Sequence, residues 1–154
     1  NTWRHGDFVV VTERGGVVML GRSDATLNPG GVRIGTAEIY RQLEQLPEID
    51  DSVVVGQNWK DDIRVILFVK LAAGYELTET LKAKIKQTIR TNASPRHVPA
   101  KILSTPEVPY TLNMKKVELA VKKIIEGRAV LNRDALGNPD ALDYYENLKE
   151  LQED

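Results

Sequence analysis

Two β-rich runs do most to limit what this chain can become: residues 51 to 57 (DSVVVGQ) and 63 to 72 (IRVILFVKLA). Only the polar stretch Asn58 to Asp62 lies between them. That joint is too short for a crossover, so the spacing predicts neighbouring antiparallel strands. Helical stripes flank the pair. From Thr36, Ile39, Leu43 and Leu46 give one apolar face, closed by Pro47; Leu77, Leu81, Ile85 and Ile89 repeat every four residues, with Lys82, Lys84 and Lys86 off the stripe. Pro95 and Pro99 end that second helix, and 100 to 104 is a short strand candidate. Met114, Val117, Val121 and Ile124 mark a third helix, with Asn113 as its N-cap. Residues 142 to 151 form a candidate last helix. Near the start, 8 to 13 (FVVVTE) and 17 to 21 (VVMLG) flank Arg14-Gly15-Gly16, a hairpin whose tight turn needs the positive φ that Gly supplies. The sum is α+β: an N-terminal two-stranded hairpin, a hinge near 22 to 26, then a small three-stranded, mainly antiparallel sheet flanked by helices.

At 154 residues the chain suits one domain, burying roughly 70% of its unfolded surface. It lacks cysteine, which excludes disulfides, thiolate metal sites and a Cys nucleophile; His5 and His97 alone make no convincing metal site. With 21 Lys+Arg against 22 Asp+Glu, nothing at long range attracts nucleic acid or an anionic membrane. No apolar run approaches the roughly 20 residues that cross a bilayer. The expected setting is cytoplasmic, with small-molecule substrates, no nucleic acid or membrane partner and no protein-held metal. The chain opens Asn1-Thr2-Trp3 rather than with Met and reads as a piece of a longer protein. The lysines at 82 to 86 and Lys122-Lys123 read as solvated faces, and Trp3, Trp59 and Tyr110 are too scattered for a stacking platform.

Three clusters place polar or Gly residues where packing does not ask for them. In His5-Gly6-Asp7 a carboxylate beside Gly can accept two hydroxyl hydrogen bonds, though a turn Asp is the simpler reading. Gly21-Arg22-Ser23-Asp24, followed by Asn28-Pro29-Gly30-Gly31-Val32-Arg33, lets backbone N–H groups and guanidinium approach a phosphate, or merely turns the chain. The run from Pro109 to Lys116 delivers Lys115 to the predicted first turn of the third helix, where the dipole disfavours a cation and an incoming anion neutralises it. For any single lysine, solvation at the surface is the default.

Order and spacing change the weight of these clusters. Asp7, then Gly21-Arg22-x-Asp24, then Gly31-x-Arg33-Ile34, then Pro-x-Thr-x-x-x-Lys ending at Lys115 resemble the C-terminal part of the adenylate-forming superfamily, over roughly residues 3 to 127. That superfamily holds acyl-CoA synthetases, peptide-synthetase adenylation domains and luciferases. Asn28, where many members carry Lys, and Gly35, where many carry Glu, resemble the branch of acetyl-CoA and acetoacetyl-CoA synthetases. The phrases at 3 to 7 (WRHGD), 109 to 112 (PYTL) and 130 to 136 (VLNRDAL) resemble the acetoacetate-activating members most.

This resemblance implies a two-step, AMP-forming acid–CoA ligase using ATP with Mg²⁺, then CoA, with no prosthetic group, and partnered by its own N-terminal domain. It implies that residues 1 to 22 end the preceding domain, 23 to 127 form a mobile C-terminal domain and 128 to 154 an extension. Asp7 and Arg22 would hold the ribose, Asp24 would be the hinge, and Lys115 would bridge carboxylate and α-phosphate. Gly30, Gly31 and Arg33 would line the CoA path, and Arg90 would meet a CoA phosphate. The isolated piece should fold but be inactive. A synthetase for acetate or another short acid, and a non-catalytic binding or regulatory module of the same fold, are the alternatives. Met114 stands where the family usually has Gly, Asn113 where it has a Ser- or Thr-like residue, and Ala25 where a second Asp often follows the hinge. Met114 is expected to stiffen or reshape the lysine loop. Lys116 is the other candidate lysine, but the count from Pro109 favours Lys115.

Overall fold

The computed structural model describes residues 6 to 22 and 25 to 154. Strand β1 (Asp7–Val11) and β2 (Val17–Arg22) form the expected antiparallel hairpin, with Gly15 at φ 78° in its turn and a bulge beside Phe8. Val9, Val10, Val11, Val17 and Met19 along it are all exposed.

The central pair is longer than its apolar runs suggest: β3 spans Ile49–Trp59 and β4 spans Asp62–Leu71. Lys60 and Asp61 alone join them, both at positive φ (47° and 64°), as the two-residue turn that suits the strand twist. Strand β5 (Lys101–Ser104) lies parallel to β4, giving the order β3-β4-β5. The intervening α2 (Glu79–Asn92) carries the chain back along the sheet, which is what a parallel pairing requires. Thr78 caps α2 by accepting from the Leu81 N–H at 3.1 Å.

Both faces of the sheet are covered. Val54, Val65, Leu67 and Val69 pack with α1 (Thr36–Leu43) and α2 through Ile39, Leu43, Leu81, Ile85 and Ile89. Alternate residues Val53, Val55, Ile66 and Phe68 pack with Val121 and Ile124 of α3 (Glu118–Ile125) and with Leu136, Leu142, Tyr145 and Leu151 of the tail. Burial on both sides explains why these strands read as continuous apolar runs rather than alternating ones. His97 is a satisfied interior histidine, bonded through Nδ1 to Ser94 Oγ at 2.6 Å and through Nε2 to Glu38.

Two expectations need correction. The third helix begins at Glu118, not near Asn113, because Met114 sits at φ 59°, outside the right-handed helical region, and is exposed. Residues 142 to 151 form no α-helix. The tail instead makes 3₁₀ turns at Arg133–Ala135, Pro139–Tyr145 and Lys149–Leu151, interrupted where Asn147 adopts φ 54°. Packing rather than periodicity fixes the tail: the Phe68 and Tyr145 rings meet edge to face with centroids 4.8 Å apart.

Candidate functional site

Lys115 lies at the tip of a small backbone loop rather than on a helix. Tyr110 and Lys116 pair across its stems; the Thr111 N–H donates to the Lys115 carbonyl at 2.8 Å, and the Lys115 N–H to Thr111 Oγ1 at 3.1 Å. Thr111 thus ties both polar groups of the Lys115 backbone, and Met114 takes the left-handed conformation that the turn demands. The helix-dipole argument for Lys115 therefore does not hold, since α3 starts three residues later. Lys115 is exposed and, among the described residues, its ammonium has no hydrogen bond or ion pair.

The neighbouring lysine is bound fast. Lys116 Nζ pairs with Asp51 Oδ1 at 3.3 Å and lies 3.9 Å from the centre of the Tyr40 ring. Tyr40 OH donates to Glu118 Oε1 at 2.5 Å and accepts from the Val54 N–H at 3.1 Å, which also covers an edge-strand donor. Burial first, then the Glu118 carboxylate, push the Tyr40 phenol well above its ordinary value, so it remains a donor. Of the two candidate lysines, only Lys115 is free to meet an incoming anion. It borders a cleft of about 220 Å³ together with Ala25, Thr111, Glu118 and Leu119.

The glycine loop is built differently. Leu27 and Ile34 pair through two backbone hydrogen bonds and bury their side chains in the core, leaving residues 28 to 33 as a pinched loop. Gly30 and Gly31 sit at φ 57° and 77°. The Gly30 N–H donates to Asp62 Oδ1 at 3.0 Å, and the same oxygen accepts from the Ile63 N–H at 2.7 Å. These two amides, Ile63 first, hold the Asp62 carboxyl below its usual range. A groove of about 570 Å³ runs between Gly31 and the Trp59–Asp62 turn.

The other expected residues divide as follows. Asp7 and Arg22 face each other as Cα partners at the open end of the hairpin, so the fold brings these two together. Asp24, the expected hinge, lies outside the described residues, as does His5. Arg33 is exposed on the glycine loop, and Arg90 is exposed on the last turn of α2. A second cation beside the loop is one that sequence reasoning missed: a Cβ on Gly30 would stand 3.8 Å from Arg96 Nη1. Asp62 and Asp51 were missed too, because each earns its place from a partner at least 32 residues away. Among the described residues no group of His, Cys, Asp and Glu fits a metal ion, and no helix is long and apolar enough to cross a membrane.

The two loops root on opposite sides of the sheet. Leu27 and Ile34 of the glycine loop join the core under α1 and α2, whereas Tyr110 and Val117, at the stems of the lysine loop, pack on the core under α3.

No protein-family model matches the chain. Over 152 residues it is 58% identical to an acetoacetyl-coenzyme A synthetase of Rhizobium meliloti (strain 1021), covering 99% of this chain and 23% of that protein. Among solved structures, the acetoacetyl-CoA synthetase from Streptomyces lividans matches with a TM-score of 0.87 at 43% identity, over 98% of this chain and 23% of that one. An anthranilate CoA ligase in complex with anthranoyl-AMP gives 0.68 at 26% identity, over 73% of this chain and 22% of that one. The chain therefore spans less than a quarter of the length of these relatives.

Proposed function

We propose that this chain, which belongs to the adenylate-forming acyl-CoA synthetases as their C-terminal domain and is similar over nearly its whole length to acetoacetyl-CoA synthetases, is the turning lid of an AMP-forming acid–CoA ligase. The reaction in this reading is acetoacetate, ATP and CoA to acetoacetyl-CoA, AMP and pyrophosphate. In the first step a carboxylate oxygen attacks the α-phosphorus and pyrophosphate leaves. In the second the CoA thiol attacks the acyl carbonyl and AMP leaves.

Lys115 serves the first step. Negative charge gathers on the carboxylate and phosphoryl oxygens as they meet, and an ammonium fixed between them stabilises that arrangement. An ammonium already bonded within its own fold would have to break that bond first, which is why the unpaired Lys115 suits the role and the paired Lys116 does not. Asp7 and Arg22, Cα partners on the hairpin, would hold the two ribose hydroxyls and so position the phosphate. Mg²⁺ arriving with ATP would shield the phosphates.

The second step uses the other loop. Gly31 lacks a side chain, and nothing lies within 4 Å of where its Cβ would be, so a thin pantetheine arm can run along its backbone. Gly30 would flank that path, with Arg33 and Arg90 as cations for the CoA phosphates. Residues 23 to 127 would turn about Asp24, carrying the 128 to 154 tail, and the exposed apolar hairpin would lie against the rest of the enzyme.

The observation that carries this reading is the rooting of the two loops in opposite faces of one sheet. A rigid body so built can offer either loop to one active centre by turning, and never both at once. The test is Lys115→Ala in the complete enzyme. Acid-dependent pyrophosphate exchange should fall by roughly 10²–10³-fold or more, while thioester formation from supplied acyl-adenylate persists. Unchanged exchange would leave only a binding module.

A further inference from the structure

Lys115 needs a firm mount, and the contacts of its loop identify one. The loop leaves the body through two stems, Tyr110 and Lys116, that pair across its base. Both end on a single side chain from a distant strand. The Tyr110 OH donates to Asp51 Oδ2 at 2.7 Å, and Lys116 Nζ pairs with Asp51 Oδ1 at 3.3 Å. Asp51 pairs with Lys70 in the β3–β4 ladder directly after the irregularity that leaves Asp50 out of the register. Its own direction is fixed by the Ser52 N–H, which donates to Oδ1 at 2.8 Å.

We infer that Asp51 is a positioning residue for the adenylation step, clamping both stems of the lysine loop so that the Lys115 ammonium is held where the carboxylate and α-phosphate meet. The inference rests on the ligase reading above and deepens it.

The physical case is one of leverage. Thr111 organises the tip, and the strand leading into it is bonded to the tail, where Thr111 bridges to Leu136 and the Leu112 N–H donates to the Ala135 carbonyl at 3.1 Å. Those bonds hold the incoming stem, and a side chain that ties the outgoing Lys116 stem to it keeps the ammonium from shifting; a misplacement of about 1 Å at a reacting centre costs on the order of 10²-fold in rate. Asp51 ties both stems to the sheet, where Val53 and Val54 of the same strand are fully buried. The clamp is dry enough to hold: the Asp51 and Lys116 side chains are each 25% exposed. Burial, then Asp51 itself, keep the Tyr110 phenol protonated and donating. None of this touches the glycine loop, which is anchored through Leu27, Ile34 and Asp62 instead.

The experiment measures both half-reactions in the complete enzyme for Asp51→Ala, Asp51→Asn, Tyr110→Phe and Lys115→Ala, and for Asp51→Ala combined with Lys115→Ala. Asp51→Ala should slow pyrophosphate exchange roughly 10- to 100-fold through kcat, with thioester formation from supplied acyl-adenylate unchanged. Asp51→Asn keeps an acceptor for Tyr110 and the shape of the clamp, so it should lose less than the alanine variant, as should Tyr110→Phe. In the Lys115→Ala background, Asp51→Ala should cost nothing further, because there is no ammonium left to position. Equal loss in both half-reactions, or a full further loss in that background, would show a merely structural residue and overturn the inference. Exchange lost in Lys115→Ala but intact in Asp51→Ala would overturn it while leaving the ligase reading standing. Exchange intact in Lys115→Ala would bring down both.

Discussion

Replacing Gly31 tests the proposed division between the two steps, because its cost within the domain is small and calculable. Gly31 adopts φ 77°, where an L side chain pays roughly 1–2 kcal/mol. Among the described residues beyond its chain neighbours, no atom lies within 4 Å of a Cβ built there, so no clash adds to that figure. A domain of this size loses about 2–4 °C of Tm per kcal/mol, so Gly31→Leu should melt roughly 2–8 °C lower and remain folded at assay temperature. Gly31→Ala pays the same backbone strain and serves as the control. Only the leucine projects far enough to fill the path proposed for the thiol arm. In the complete enzyme, Gly31→Leu should keep pyrophosphate exchange within a few-fold of the parent while CoA thioester formation collapses, and Gly31→Ala should fall in between. Equal loss in both half-reactions for Gly31→Leu, or thioester formation as good as the parent's, refutes the assignment of this loop to the second step.

The tail and the buried phenols make two further predictions. Tyr145 is fully buried against Phe68, and its OH donates to the Glu107 carbonyl at 2.8 Å. Tyr145→Ala should therefore cost about 3–5 kcal/mol in urea unfolding of the chain, and Tyr145→Phe about 1 kcal/mol; an alanine variant within 1 kcal/mol of the parent would show that the tail is not part of the core. Burial raises Tyr40, Tyr110 and Tyr145 above the ordinary phenol value. The folded chain thus keeps protons that the unfolded chain releases above about pH 10, so this contribution is whole below that pH and fades as pH rises beyond it. Urea midpoints should fall steadily between pH 9.5 and 11; a flat profile contradicts that burial.

The elements that packing repeats regularly were readable in the chain. Leu81, Ile85 and Ile89 fall on one stripe because α2 buries one face, and the β3 and β4 runs are continuous because both faces of those strands are covered. The same logic misled at Met114. Its spacing to Val117 and Val121 fits a helix, yet the Tyr110–Lys116 pairing and the Thr111 hydrogen bonds take the backbone first, leaving Met114 outside. In the tail, Leu136, Leu142, Tyr145 and Leu151 are buried at irregular intervals by successive 3₁₀ turns, so no period announces them. Lys115, Gly31 and the Asp7–Arg22 pair were visible as motifs. What mounts them was not: Asp51 reaches Tyr110 across 59 residues, and Asp62 reaches Gly30 across 32, in contacts only the folded sheet creates.

That one unpaired cation drives the first half-reaction is tested most directly by swapping its charge out beside its neighbour's. Pyrophosphate exchange should be compared for Lys115→Met and Lys116→Met in the complete enzyme. Loss of roughly 10²–10³-fold or more at position 115, against a loss of ten-fold or so at 116, is the expected pair of results. The reverse order, or equal rates for the two variants, contradicts it.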